Sequence, residues 1–136
     1  MATKKNPVEG RGNHRVTTVL PVDCRVFEFP AERTVKIPLA LGQSFGGRTI
    51  NVSKTGLLIN SDYELDIRTK VEVILHVQHE GQRRTIRVLA QVARTRRNAY
   101  DLYGRWGMGL HFLEIQPKDL QLLSKLYLET SAKTSH

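Results

Sequence analysis

The sequence predicts a mainly β protein: a six-stranded antiparallel β-barrel with one C-terminal α-helix, preceded by a flexible N-terminal arm. Three observations carry that expectation. Apolar and polar residues alternate with a period of two through most of residues 16–115. Turn residues interrupt the alternation at short intervals and no helical pattern falls between the runs, so successive strands have only each other to pack against. The period changes once, after Pro117, to the spacing of an amphipathic helix. At 136 residues the chain makes one domain, large enough to bury a core without disulfides or metal.

Residues 1–15 form a basic arm, with Lys4, Lys5, Arg11 and Arg15 against Glu9 alone. It has nothing apolar to bury and is expected to be flexible. The barrel with its helix is expected over residues 16–129. "VTTVLPVDCRVFEF", residues 16–29, alternates Leu20, Val22, Cys24 and Val26 with Pro21, Asp23, Arg25 and Phe27, and reads as a half-buried strand. Pro21 places that strand at an edge or marks a bulge. Residues 30–47, "PAERTVKIPLALGQSFGG", read as a long connection with room for a short strand at Val35–Leu41. "RTINVSKTGLLINS", residues 48–61, reads as two extended pieces meeting at a turn near Lys54–Gly56.

"KVEVILHV", residues 70–77, sets Val71, Val73, Leu75 and Val77 on one face. "HEGQ" supplies a turn, and residues 84–96 return as a hairpin partner with Ile86, Val88, Ala90 and Val92 inward. "WGMGLHFLEI" resumes the alternation through Met108, Leu110 and Phe112. Pro117 suits a first helical turn. Leu120, Leu123 and Tyr127, with Leu122 and Leu126 beside them, then form the stripe of a helix over residues 117–129, plugging one barrel mouth or lying against the side. Residues 130–136 are a polar tail.

Composition narrows the function. The net charge of +8 favours an anionic partner: nucleotide, nucleic acid, acidic protein or lipid headgroup. No run approaches the ~20 apolar residues of a membrane span, and the N-terminus lacks the apolar stretch of a secretory signal. The lone Cys24 fits a reducing cytoplasm and is read as a small core residue. His76 and His79 lie three apart on a strand, hence on opposite faces, and make a poor metal pair; they read as exposed hairpin residues. No HExxH, GxSxG or phosphate-loop pattern occurs, so neither enzyme nor cofactor is expected.

Two short motifs remain. "RGNHR", residues 11–15, spaces two arginines four apart within the arm. "NVSKTG", residues 51–56, ends a strand in a turn; Asn51 and Ser53, two apart on a strand, project from one face, and Gly56 permits positive φ and close approach to the backbone. Taken alone, Asn51 and Ser53 read as turn caps. Taken together and in this order, RxxxR and NxSxxG resemble the two motifs of the PilZ domain, the bacterial receptor module for cyclic di-GMP. The similarity runs over about residues 10–128, through "VTTVLPVDCRV", residues 53–77 and residues 106–127. The 35 residues between Arg15 and Asn51 exceed the family's expected spacing and mark an insertion at about 30–47.

The resemblance implies a PilZ-like split barrel that binds cyclic di-GMP through Arg11, Arg15, Asn51, Ser53 and Gly56. By charge alone, Arg94, Arg96 and Arg97 read either as a solvated strand face or as a border lending the site positive potential, with Arg96 and Arg97 as its peripheral residues. An arginine fork suits both guanine O6/N7 and phosphate. Extended, the two arginines would stand ~13 Å apart; Gly12 and Asn13 let the arm curl so that both reach one ligand. Ligand would order the arm across the barrel and create a surface for a protein partner, in motility, biofilm or secretion. Gly10 adds no third guanidinium, which favours one ligand rather than a stacked pair. Monomer and homodimer both fit. The rival readings are a PilZ-like adaptor that does not bind nucleotide and a basic nucleic-acid-binding barrel. Six arginines in residues 83–97 motivate the second, but no aromatic interleaves them as a stacking platform would require.

Overall fold

In the computed structural model, residues 16–17, 19–35, 39–99 and 104–134 are described, with side chains for residues 19–35, 39–99 and 104–126. The expected arm, with Arg11 and Arg15, lies outside the described residues, as do residues 36–38 of the insertion and the side chain of Tyr127. The elements are β1 (Val16–Thr17), β2 (Pro21–Glu28), β3 (Ser44–Val52), β4 (Gly56–Ser61), β5 (Lys70–His79), β6 (Gln82–Arg97), β7 (Trp106–Ile115) and α1 (Pro117–Thr134).

Antiparallel pairing runs β3-β2-β5-β6-β7-β4, and β4 pairs back to β3, so six strands close a ring. β1 adds two residues beside β3, opposite Asn51 and Val52. The inward row is the one the alternation predicts: Val22, Cys24 and Val26, then Val71, Val73, Leu75 and Val77, then Ile86, Val88, Ala90 and Val92, with Met108 and Leu110. At ~25 cal/mol per Å² of apolar surface removed from water, this row is the main stabilising term. Cys24 is 1% exposed, and burial, with a smaller push from Asp23, drives its thiol up to about 12, an inert core residue.

The local chemistry explains the joints. Pro21 is the first residue of β2, where its missing N–H disturbs only the ladder's end. Between β1 and β2 the chain steps out of register; Leu20 N donates to Thr49 Oγ1 at 2.8 Å and Thr49 N to Leu20 O at 2.9 Å. Glu80 and Gly81, at φ 52° and 76°, make the two-residue turn of the β5–β6 hairpin.

Four expectations change. β3 begins at Ser44, so residues 44–47 belong to the barrel and the connection is residues 29–43; its described part holds no strand at 35 or 39–41. α1 runs to Thr134, five residues past the expected end, and it buries Leu122 and Leu123 with Leu126 partly covered, while Leu120 is 38% exposed. The covered side is thus 119, 122, 123 and 126: three leucines of the predicted stripe hold, and Leu120 drops out at its edge. His79 is not exposed: its side chain is 9% exposed because it continues the inward row of β5, whereas His76 points outward to Asp23 at 2.6 Å.

The insertion is tied down by one carboxylate. Asp66 Oδ1 accepts from Thr34 N (2.8 Å), Thr34 Oγ1 (2.6 Å) and Val35 N (3.2 Å). Desolvation alone would raise the Asp66 pKa, but these bonds and the charge of Arg33 outweigh it and hold it below the usual range. This clasp is at the Ser61 end of β4, whereas the Asn51–Gly56 turn is at the other. The described part of the insertion therefore leaves the turn uncovered.

Candidate functional site

The turn of the NxSxxG stretch is built around Ser53. Its N–H donates to Gly56 O at 2.9 Å, and its hydroxyl donates to the same oxygen at 3.2 Å. Its Oγ accepts from Thr55 N at 3.3 Å and Gly56 N at 3.2 Å. One donor and two acceptor sites are thereby used, and Ser53 is 1% exposed. The expected common face for Asn51 and Ser53 does not form. β3 ends at Val52, so the period of two stops before Ser53, which folds inward as a cap while Asn51 stays half-buried on the outer wall.

Gly56 also differs from expectation. It opens β4 without a positive φ. Its need for glycine comes from β7: a Cβ there would sit 2.3 Å from the carbonyl oxygen of Leu110. Phe112 N donates to Thr55 O at 2.8 Å, so the turn is stitched to β7 on both sides of that approach. What comes close to this backbone is a neighbouring strand.

Across the outer wall the register continues the site. Asn51 pairs with Leu58, Leu58 with Gly109, and Gly109 with Arg94. One row further from the turn, Arg48 pairs with Asn60, Asn60 with Gly107, and Gly107 with Arg96. β-Bulges at Ile50 and Ala93 shift the parity just before Asn51 and Arg94, which puts both on the outer face. Arg97 stacks with its Cζ 5.8 Å from the Trp106 ring and donates to Arg105 O at 3.3 Å. Segments 48–61, 83–98 and 104–113 contain no Asp or Glu, so the charge they bring to this wall is basic. Sequence reasoning passed over Arg48 and Lys54 as site residues and set Arg94 only at the border of the site with Arg96 and Arg97; the signal for a closer role of Arg94 is the Gly-x-Gly of β7, which leaves the wall beside it bare.

Among the described residues no cluster of His, Cys, Asp or Glu could hold a metal ion, and no helix is long and apolar enough to cross a membrane.

The family model of the PilZ domain matches residues 10–129. The chain belongs to the PilZ family. Its fold is similar to the inhibitor of motility MotI/DgrA of Bacillus subtilis, with a TM-score of 0.69 at 18% identity over 89% of this chain and 50% of that one. It is also similar to the PilZ domain with c-di-GMP of YcgR from Escherichia coli, with a TM-score of 0.60 at 14% identity, covering 90% of this chain and 92% of that one. A third likeness is to the PilZ domain of CeSA from a cellulose-synthesizing bacterium, with a TM-score of 0.53 at 15% identity, covering 87% of this chain and 98% of that one. This chain spans half the length of the Bacillus protein, and at these identities the likeness is one of fold. No curated protein matches the chain.

Within this PilZ domain the second motif is thus partly architectural: Ser53 and Gly56 shape the turn, and Asn51 is the motif side chain left toward solvent. The family is one of cyclic di-GMP receptor domains rather than catalysts.

Proposed function

We propose that this PilZ domain is a cyclic di-GMP receptor in which Arg11 and Arg15 clamp the nucleotide against the wall at Asn51, on a turn shaped by Ser53 and Gly56. One observation carries the reading: Val16, bonded to Arg15, pairs with Val52, and Thr17 pairs with Asn51. The two residues that follow RxxxR thus lie beside the start of NxSxxG, although 35 residues separate the motifs in sequence, and this supports a shared site. Arg96 and Arg97 lend positive potential from the far end of the same acid-free wall. Ligand orders the arm across the barrel, and the new surface regulates a protein partner in the cytoplasm, in motility, biofilm formation or secretion. The motility inhibitor among the fold's likenesses supports the first of these.

Calorimetric titration of cyclic di-GMP tests the clamp. Each lost arginine should cost ~1.5–3 kcal/mol, a weakening of roughly tenfold to over a hundredfold, and the Arg11→Ala/Arg15→Ala double variant should show no measurable binding. Full-strength binding by Arg15→Ala would sink the clamp. A second reading, an adaptor that binds protein and no nucleotide, draws on the fully engaged hydroxyl of Ser53. No heat from the native, folded chain on adding cyclic di-GMP would favour it.

A further inference from the structure

We infer that Arg94 is a third guanidinium of the nucleotide site, gripping one guanine from the side opposite Asn51. The inference rests on the cyclic di-GMP reading above and adds to it a residue that belongs to neither sequence motif.

The geometry starts from Gly109. A Cβ built there would meet Arg94 Nε at 2.9 Å, Cγ at 3.0 Å and Cδ at 3.4 Å, so the arginine stem fills the place of the missing side chain. That moves the start of the guanidinium from β6 to above β7, one strand nearer Asn51. Asn51 and Gly109 are two strand steps apart, about 9.5 Å at the usual interstrand spacing. Between them lies only Leu58, half-buried and apolar. The row therefore offers an amide, an apolar floor and a planar fork in line, across a gap the width of a purine. Leu58 supports the base face, while Arg94 can bond O6 and N7 in a pair or stack on the ring.

Two further observations favour a ligand role over a solvated charge. The bulge at Ala93 aims Arg94 outward beside a bulge-aimed Asn51, so both strands carry a local irregularity at the same row. Arg94 has no acidic partner among the described residues, whereas Arg87 on the same strand is bonded to Glu72 at 2.8 Å.

The test is calorimetric titration of cyclic di-GMP into the full chain and four variants, with thermal melts to confirm folding. Arg94→Ala should weaken binding by about tenfold to a hundredfold. Arg94→Lys should fail to restore it, because a point charge does not replace the fork. Gly109→Ala keeps the arginine but displaces its stem, and should weaken binding by about threefold or more. Arg87→Ala removes the same charge from the far side of the barrel and should stay within about twofold of native. Native affinity in Arg94→Ala, or equal losses in Arg94→Ala and Arg87→Ala, would overturn the inference while leaving the receptor reading intact. No binding by the native chain would overturn both.

Discussion

Among the described residues, carboxylates bridge the basic groups on one side of the barrel wall, whereas on the other Arg94 lies over a glycine with no acidic partner. On β2, β5 and the first half of β6, Glu72 bridges Arg25 at 2.6 Å and Arg87 at 2.8 Å, Asp23 meets His76 at 2.6 Å, and Glu28 lies 3.6 Å from Lys70. On β3, β4, β7 and the second half of β6, the paired rows carry Arg48, Arg94 and Arg96 with asparagine, leucine and glycine between them. β6 belongs to both sides. Seven residues separate Arg87, held by a carboxylate, from Arg94, laid over a glycine. The same residue type is thus a structural strut on one side and an anion-seeking group on the other, and the difference lies in what the neighbouring strands present.

The largest effect should come from the turn that anchors the basic side. Gly56→Ala drives a Cβ to 2.3 Å from a backbone carbonyl that cannot rotate away, so β4 and β7 must separate. A loss of roughly 1–3 kcal/mol is expected, with a fall of several degrees in melting temperature. An unchanged melt would show that the contact relaxes freely and that glycine is there for another reason.

Next come Asn51 and Ser53, which the motif groups and the structure separates. Ser53→Ala removes the Oγ acceptor of the Thr55 N–H and of the buried Gly56 N–H and should cost about 1–2 kcal/mol of stability. Asn51→Ala should lower the melt less than Ser53→Ala, since Asn51 is half-buried where Ser53 is buried, and should weaken cyclic di-GMP binding about tenfold. If both variants change stability equally and binding not at all, the outer wall at Asn51 is not the ligand face.

Much of the fold is legible in the sequence, because a strand with one buried face must alternate. The inward rows of β2, β5, β6 and β7 come directly from that alternation, and Glu80–Gly81 marks the hairpin turn. The site is less so. Ile50 and Ala93 look like ordinary strand residues, yet each is an extra residue opposite one partner, and each flips the parity of the residues after it. That depends on long-range register, which no local pattern carries. For the same reason "SFGG" reads as loop when it begins β3: Gly46 and Gly47 pair with Asp23 and Val22 on β2, and a Cβ on Gly47 would sit 2.7 Å from the Asn60 carbonyl oxygen. Gly56 could be recognised as obligatory from its motif, but not why, because the reason is a carbonyl 54 residues away.

The smallest effect should appear on the paired side. Bonding to Arg87 holds the Glu72 carboxyl below the usual range, assisted by Arg25 and opposed by desolvation. A carboxylate with a lowered folded-state pKa contributes stability that is fully present above its unfolded value, here 4.5, and is lost as pH falls through the folded one. Glu72→Gln should therefore cost about 0.5–1 kcal/mol near pH 7, and the gap to native should be narrower at a pH below 4.5. Paired denaturation curves at the two pH values measure it. Cyclic di-GMP affinity should not move, since Arg25 and Arg87 lie on β2 and on the stretch of β6 before it pairs with β7, away from the Asn51 row. A change in affinity as large as that of Arg94→Ala would mean that net charge, rather than the placing of individual arginines, governs binding.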